Sequence, residues 1–254
     1  MKTIEGKCYF ASDFHLGITN YPTDDQRESY ILEWLDQVKS DGKHLFLLGD
    51  IFDFWFEYKY EIPKGYHRLL TKLEELRNAG VEIYYFTGNH DMWVKSYFTK
   101  QFGIQIFRKP QLFKINGKTV FVAHGDGLGP GQYRYKLIQW IFSRKINIFL
   151  YGLLPSSLAF AVAEAASRKS RKKDLYRNQN QTEYIELFIE KYLQNNHADL
   201  FIMGHRHRVI DKMIGSSRYI NTGDWLEFYT YFVLDSEGKL NYFLQEKNKN
   251  NPLP

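Results

Sequence analysis

Cysteine is nearly absent from this chain. Cys8 is the single one in 254 residues, which excludes an intrachain disulfide and a thiolate-rich metal site. It lies in the first strand-like run, Lys7 to Ser12, where a small packed hydrophobe is the simplest reading. The N-terminus lacks a basic segment leading into an uninterrupted apolar stretch. No secretory signal is therefore expected, and a reducing, cytoplasmic compartment is the default. Long charge-free runs are scarce as well. One of them, Ile146 to Ala163, has the minimum length for a membrane span, but Gly152, Pro155 and the pair Ser156-Ser157 interrupt it. A helical hairpin capping the core is expected there, with one face able to meet a membrane surface. A strong overall charge is missing too, since 34 Lys and Arg stand against 29 Asp and Glu, a net +5. The excess is local: between Gly131 and Arg177 ten basic residues face two acidic ones, leaving the rest of the chain net acidic. Whole-chain charge thus gives no ground for a nucleic-acid partner, and none is expected.

What the chain does have is apolar and aromatic substance, 44% and 17% of its residues. That is enough, at this length, for a large domain with a proper core. The organising stretch is His44-Leu45-Phe46-Leu47-Leu48-Gly49-Asp50-Ile51-Phe52-Asp53. Its apolar run suits a strand buried on both faces, and the glycine turn places Asp50 at the strand's C-terminal tip. Lys7–Ser12, Val81–Thr87, Lys118–Ala123 and Ala198–Met203 read as further buried strands, with Tyr229–Leu234 and Leu240–Gln245 closing the chain. Helical spacing marks Gln26–Ser40 and Pro63–Ala79, each followed by a glycine stop. Tyr133–Tyr151 reads as one helix and Leu158 to about Arg177 as a second, apolar first and then basic. The order βαβαβ followed mainly by β implies a layered α/β sandwich. A single domain over 1–245 is expected, with a helical lid inserted at about 127–181 and a flexible tail at 246–254.

The chemistry lies at the strand ends. They carry Asp13 with His15, Asp50, Asn89, His124, and His205 with His207. In an extended segment residues two apart point the same way, so Asp13 and His15 would converge. Taken singly, each motif is as well explained by a turn or a polar surface. Five such ends after five apolar strands are not. Four His, two Asp and one Asn make a nitrogen and oxygen donor set that suits Mn, Fe, Co or Zn. Seven ligands are too many for one ion with open positions but suit two ions sharing a carboxylate, and Asp50 is the natural bridge.

In order, Asp-x-His, Gly-Asp-x-x-Asp, Gly-Asn-His-Asp, His and Gly-His-x-His match the calcineurin-like metallophosphoesterases, which the chain resembles over residues 9–208. The resemblance implies a four-layer α-β-β-α sandwich with both metals at the strand ends. It assigns Asp13, His15, Asp50 and His207 to one ion and Asp50, Asn89, His124 and His205 to the other. It makes His90 a general acid or phosphate stabiliser oriented by Asp91, with Asp53 in support. Within the superfamily the chain is most similar to the UDP-2,3-diacylglucosamine pyrophosphatases of lipid A synthesis. The shared features are Gly49-Asp50-Ile51-Phe52-Asp53-Phe54-Trp55, His124-Gly125-Asp126, the helical insertion and Gly223-Asp224-Trp225. That likeness implies hydrolysis to UMP and 2,3-diacylglucosamine 1-phosphate (lipid X), typically with two Mn²⁺, at the cytosolic face of the inner membrane. It implies a nucleotide-activated lipid substrate, peripheral membrane contact through 131–177, and substrate contacts from Asp126, Arg168, Ser170 and Arg171. Two departures are His90, where many of that branch carry Arg, and Gly-His-Arg-His-Arg-Val, where they carry Gly-His-Thr-His-Arg-Pro. The alternative is a metallophosphodiesterase acting on another nucleotide diphosphate-linked lipid or on nucleic acid.

Overall fold

The computed structural model describes residues 1–18, 24–177 and 184–245, with Arg134 and residues 168–177 described in the backbone alone. The chain starts with β1 (Lys2–Ile4), β2 (Cys8–Ala11), α1 (Asp24–Asp41), β3 (His44–Leu47), α2 (His67–Asn78) and β4 (Glu82–Phe86). Then come α3 (Tyr97–Phe102), β5 (Gln105–Phe107), β6 (Gln111–Ile115) and β7 (Lys118–Val122). A helical segment follows, made of α4 (Tyr133–Phe142), α5 (Lys145–Gly152), α6 (Ser156–Arg177) and α7 (Tyr184–Leu193). The chain closes with β8 (Leu200–Met203), β9 (Val209–Ile214), β10 (Ser217–Thr222), β11 (Thr230–Leu234) and β12 (Leu240–Leu244).

Two six-stranded mixed sheets result, one ordered β12-β11-β2-β3-β4-β5 and the other β1-β6-β7-β8-β10-β9. Strand alternation explains why they stack. Tyr9, Ala11, Leu45 and Leu47 face outward beneath Trp34 and Leu35 of α1 and Leu69 and Leu73 of α2. Their neighbours Cys8, Phe10, Phe46 and Leu48 face inward and meet Phe113, Val120, Ile202 and Ile220 of the second sheet. The far side of that sheet presents Phe121, Phe201 and Tyr219 to Ile185 and Ile189 of α7. The outcome is the expected α-β-β-α sandwich. Strands β2, β3, β4 and β5 run parallel, as do β7, β8 and β10. The C-terminal ends of β2, β3 and β4 lie together at one edge of the first sheet, and those of β7, β8 and β10 at one edge of the second.

Several elements differ from the sequence expectation. Tyr133–Tyr151 is not one helix: α4 stops at Phe142, and Arg144 is extended (φ −71°, ψ 128°) before α5 begins. The break is stabilised by the Phe142 carbonyl accepting from the Trp93 indole at 2.9 Å and the Ile141 carbonyl accepting from Asn147 at 2.7 Å. These bonds take carbonyls that a continuing helix would use. Helix α2 starts at His67, four residues later than the apolar spacing suggested. Strands β1 and β5, three residues each, and the short α3 are too brief to show a period. The proposed tail, 246–254, lies outside the described residues.

The charge-free run Ile146–Ala163 is split between α5 and α6. Among the described residues no helix is long and apolar enough to cross a membrane. The lid is instead pinned by aromatic contacts: Tyr151 lies 4.6 Å from Trp93 and 5.0 Å from Phe56, and Phe160 lies 5.2 Å from Phe54. Much of its outer surface stays apolar and exposed, including Leu137, Trp140, Ile146, Phe149, Leu153 and Leu158.

Trp34 is fully buried in the first core, with Phe14, Trp225 and Tyr231 ring centroids at 6.0, 5.1 and 5.5 Å. Trp34→Ala is expected to cost about 3–5 kcal/mol of stability, read by urea unfolding of the purified protein.

Candidate active site

The residues singled out from the sequence converge. Every one of the seven candidate ligands sits just past the C-terminal end of β2, β3, β4, β7 or β8. The local backbone that brings them there is unusual. Seven non-glycine residues among those described have positive φ, and five of these are Asp13 (56°), His15 (46°), Asp50 (53°), His205 (71°) and His207 (49°). Left-handed backbone at such residues costs energy and is retained where the surroundings hold it. The convergence of Asp13 and His15 thus comes from two left-handed residues rather than from extended two-residue alternation. The motif glycines allow loops to approach closely. A Cβ on Gly88 would strike the Asp50 carboxylate and stand 2.6 Å from its backbone nitrogen, and one on Gly204 would stand 2.6 Å from Asp13 Oδ2.

Two donor clusters share Asp50. In the first, His15 Nε2 lies 3.7 Å from both Asp13 Oδ1 and Asp50 Oδ2, and His207 Nε2 lies 3.5 Å from Asp13 Oδ1. In the second, His124 Nε2 lies 3.4 Å from Asp50 Oδ2 and 3.3 Å from Asn89 Oδ1, and a ligand atom of His205 completes the group. One oxygen of Asp50 therefore faces a histidine of each cluster. Several of these separations exceed a hydrogen bond and suit atoms that each approach one ion at about 2.1 Å. Asp13 Oδ1 and both ring nitrogens of His15 are buried and make no hydrogen bond. Such orphans are costly in a packed interior unless something else coordinates them. The residues fit a pair of divalent cations.

The ring nitrogens turned away from the clusters are held in place. His124 Nδ1 donates to the Leu48 carbonyl at 2.6 Å, which leaves Nε2 as its ligand atom. His207 Nδ1 is 3.0 Å from Asp224 Oδ2, and the other oxygen of Asp224 accepts from the N–H groups of Leu226, Glu227 and Phe228. His15 Nδ1 lies 3.4 Å from Asp53 Oδ1. Asp224, which the sequence offered only as part of a shared motif, is thus a support for His207.

Electrostatics agree with a cation site. Burial disfavours the charged form of Asp13, but His207 and His15 outweigh it and hold its carboxyl at about 2. Burial likewise opposes charge on His15, yet Asp13, Asp53 and Asp50 lift it to about 10. The Asp50 carboxyl is held well below the ordinary range against burial, chiefly by His124, and His124 is raised well above its own by Asp50. His205 is driven down to about 3 by burial and then by the charge of His124. Three buried carboxylates surround these imidazoles, and the cluster demands positive charge.

The three candidate catalytic residues divide. Asn89 belongs to the second cluster through its contact with His124. His90 is at the site, its backbone N–H bonded to Asp50 Oδ1 at 2.8 Å. Asp91 does not orient it: that carboxylate is taken by the Tyr85 hydroxyl and by the N–H groups of Ile51 and Gly88. Asp91 ties the loops after β3 and β4 together, and burial, with Asp50 nearby, raises its carboxyl to about 6. His90 Nδ1 is bonded to the Asp53 carbonyl at 3.0 Å and to Ser167 Oγ of α6 at 3.2 Å. Burial lowers the pKa of His90.

Of the four substrate candidates, Asp126 is half-buried and accepts from Tyr135 at 2.7 Å and Gln139 at 2.9 Å, fastening α4 to the loop after β7. Burial raises its carboxyl. The side chains of Arg168, Ser170 and Arg171 lie outside the described residues. Among the described side chains of this helix, Ser167 meets the site, beside a basic run that is more conspicuous in the sequence.

A profile of the calcineurin-like phosphoesterases matches residues 6–209. The chain belongs to that family. As a calcineurin-like phosphoesterase it is a metal-dependent hydrolase, of a family that binds divalent metals. It is 30% identical to a UDP-2,3-diacylglucosamine hydrolase of Porphyromonas gingivalis over 91% of this chain and 95% of that protein. A Haemophilus influenzae protein of the same name is 26% identical over 92% and 97%. Among solved structures, an archaeal phosphodiesterase shares the fold with a TM-score of 0.50 at 14% identity, over 94% of this chain and 99% of that one.

Two substitutions test the phosphoesterase site. Asp50→Ala removes the shared oxygen and should abolish both metal loading, by elemental analysis, and turnover. Asp224→Ala should leave the fold intact but weaken metal affinity by about 10–100-fold, measured by titration calorimetry, because His207 loses its fixed orientation.

Proposed function

We propose that the protein hydrolyses UDP-2,3-diacylglucosamine to UMP and 2,3-diacylglucosamine 1-phosphate, using two divalent ions at the strand ends. The observation that carries this reading is the complete ligand set gathered around Asp50 in a chain whose relatives share one name across nearly their whole length. Asp13, His15, Asp50 and His207 would hold one ion, and Asp50, Asn89, His124 and His205 the other. When bound, such ions supply Lewis acidity that lowers the pKa of water and neutralises charge on phosphoryl oxygens. The nitrogen and oxygen donors suit Mn²⁺, with Fe, Co and Zn as the other choices.

The remaining work falls to the protein. A water oxygen bonds to the α-phosphorus, the bond from that phosphorus to the bridging oxygen breaks, and the diacylated sugar phosphate leaves with the bridging oxygen. His90 commits Nδ1–H to the Asp53 carbonyl, so it would meet a phosphoryl or leaving oxygen as the imidazolium, giving its second proton from Nε2. The lid suits a substrate with two acyl chains. Its exposed Leu137, Trp140, Phe149 and Leu153 offer apolar surface. A cleft of about 430 Å³ between α5 and the 56–59 loop joins Phe56, Ile148 and Phe149 to Lys59, Lys95 and Lys145. Apolar surface beside lysines suits an amphiphile with an anionic head. We place the working enzyme on the cytosolic face of a membrane, held peripherally through 131–177.

Release of UMP from UDP-2,3-diacylglucosamine with Mn²⁺ is the direct test. Turnover of that lipid should exceed that of bis(p-nitrophenyl) phosphate by at least 100-fold. Cleavage of the small diester or of DNA with no UMP release would point to the phosphodiesterase alternative.

A further inference from the structure

We propose that Ser167, carried by the lid helix α6, is a positioning residue for His90. Its hydroxyl lies 3.0 and 2.9 Å from the two carboxylate oxygens of Asp53 and 3.2 Å from His90 Nδ1. These partners are 114 and 77 residues away in sequence, so the contact exists only when α6 is seated on the sandwich. The chemistry suits one hydroxyl and no other small side chain. A serine has one hydrogen and two lone pairs. The hydrogen goes to Asp53, which can only accept as a carboxylate, and a lone pair then receives the Nδ1–H that His90 also gives to the Asp53 carbonyl. Alanine would offer neither function.

Burial makes the arrangement consequential. Ser167 is 7% exposed and Asp53 6% exposed. Water cannot readily replace the hydroxyl, and its loss leaves a buried carboxylate oxygen and a ring N–H less well bonded. The pair touched by Ser167 is also the one that matters: Asp53 reaches His15 Nδ1 at 3.4 Å, and His90 stacks edge-on to His15 with ring centroids 4.8 Å apart. Ser167 thus sets the ring plane of His90 from the lid side. Closure of the lid and readiness of the catalytic imidazole become a single event. Tyr135 and Gln139, from α4, bond instead to Asp126 at the loop after β7. This inference rests on the two-metal phosphoesterase reading of the site and not on the identity of the nucleotide-linked lipid.

The test uses the full-length, metal-loaded protein with bis(p-nitrophenyl) phosphate, which has no acyl chain to engage the lid. Ser167→Ala should lower kcat about tenfold, the rate equivalent of one hydrogen bond lost from an aligned group, with KM and bound metal unchanged. Ser167→Thr keeps the hydroxyl and should recover most of the rate. In a His90→Ala background the further change Ser167→Ala should add no loss, because the serine acts through the imidazole. Side-chain ¹⁵N NMR should show the His90 Nδ1 proton exchanging faster with water in Ser167→Ala than in the wild type. Unchanged kcat together with unchanged exchange would overturn the proposal. So would an additive loss in the His90→Ala background, or a fall in kcat that simply follows loss of metal. Should the wild type cleave no phosphodiester, the hydrolase reading fails on that substrate. The NMR exchange then decides the role of Ser167 alone, faster exchange supporting it and unchanged exchange refuting it.

Discussion

Asp50 is the constraint on which the rest of the site depends. One of its oxygens lies 3.7 Å from His15 and 3.4 Å from His124, so a single buried carboxylate belongs to both donor clusters. The other oxygen accepts the backbone N–H of His90, which fixes the loop after β4 against the loop after β3. Burying a carboxylate this deeply is unfavourable unless positive charge and hydrogen bonds surround it. The imidazoles provide the first and the His90 amide the second. The same requirement explains Gly88: any side chain there would collide with the Asp50 carboxylate.

Strain and support are distributed around that point in a consistent way. Five of the seven candidate ligands stand on left-handed backbone, a costly conformation, and the sheets behind them are packed with fully buried residues such as Phe10, Phe46 and Ile202. A rigid scaffold can hold strained loops that an isolated segment would relax. Outside the candidate ligands, the Leu48 carbonyl and Asp224 hold the imidazoles of His124 and His207. Asp91 works at one remove by locking two loops, and this is why a carboxylate adjacent in sequence to His90 is not its partner in space.

The lid adds a different kind of surface. Many of its outward residues are apolar and exposed, and its described inward contacts include aromatic ones under α5 and polar ones at Asp126 and Asp53. The division follows from chain order: the ligands end strands of the two sheets, whereas the lid is an insertion between β7 and β8.

The sequence alone determined which donor residues stand at the strand ends, because apolar strands followed by a glycine and a donor residue repeat visibly along the chain. It determined the layered architecture for a related reason, since residues such as Leu45 and Phe46 must satisfy two opposite faces at once. It did not determine which neighbours hold the His90 imidazole. His90 and Asp91 are adjacent, but backbone direction sends their side chains to different tasks, and only the packed loops reveal that Asp53 and Ser167 hold the ring. Nor did composition reveal the break at Ser143-Arg144, where α4 ends on an indole from the loop after β4. Short strands such as β1 and β5 were equally silent, since three residues carry no period. Local pattern fixes what a residue can donate. Tertiary structure decided to whom, because contacts across 77 or 114 residues depend on how the layers and the lid close.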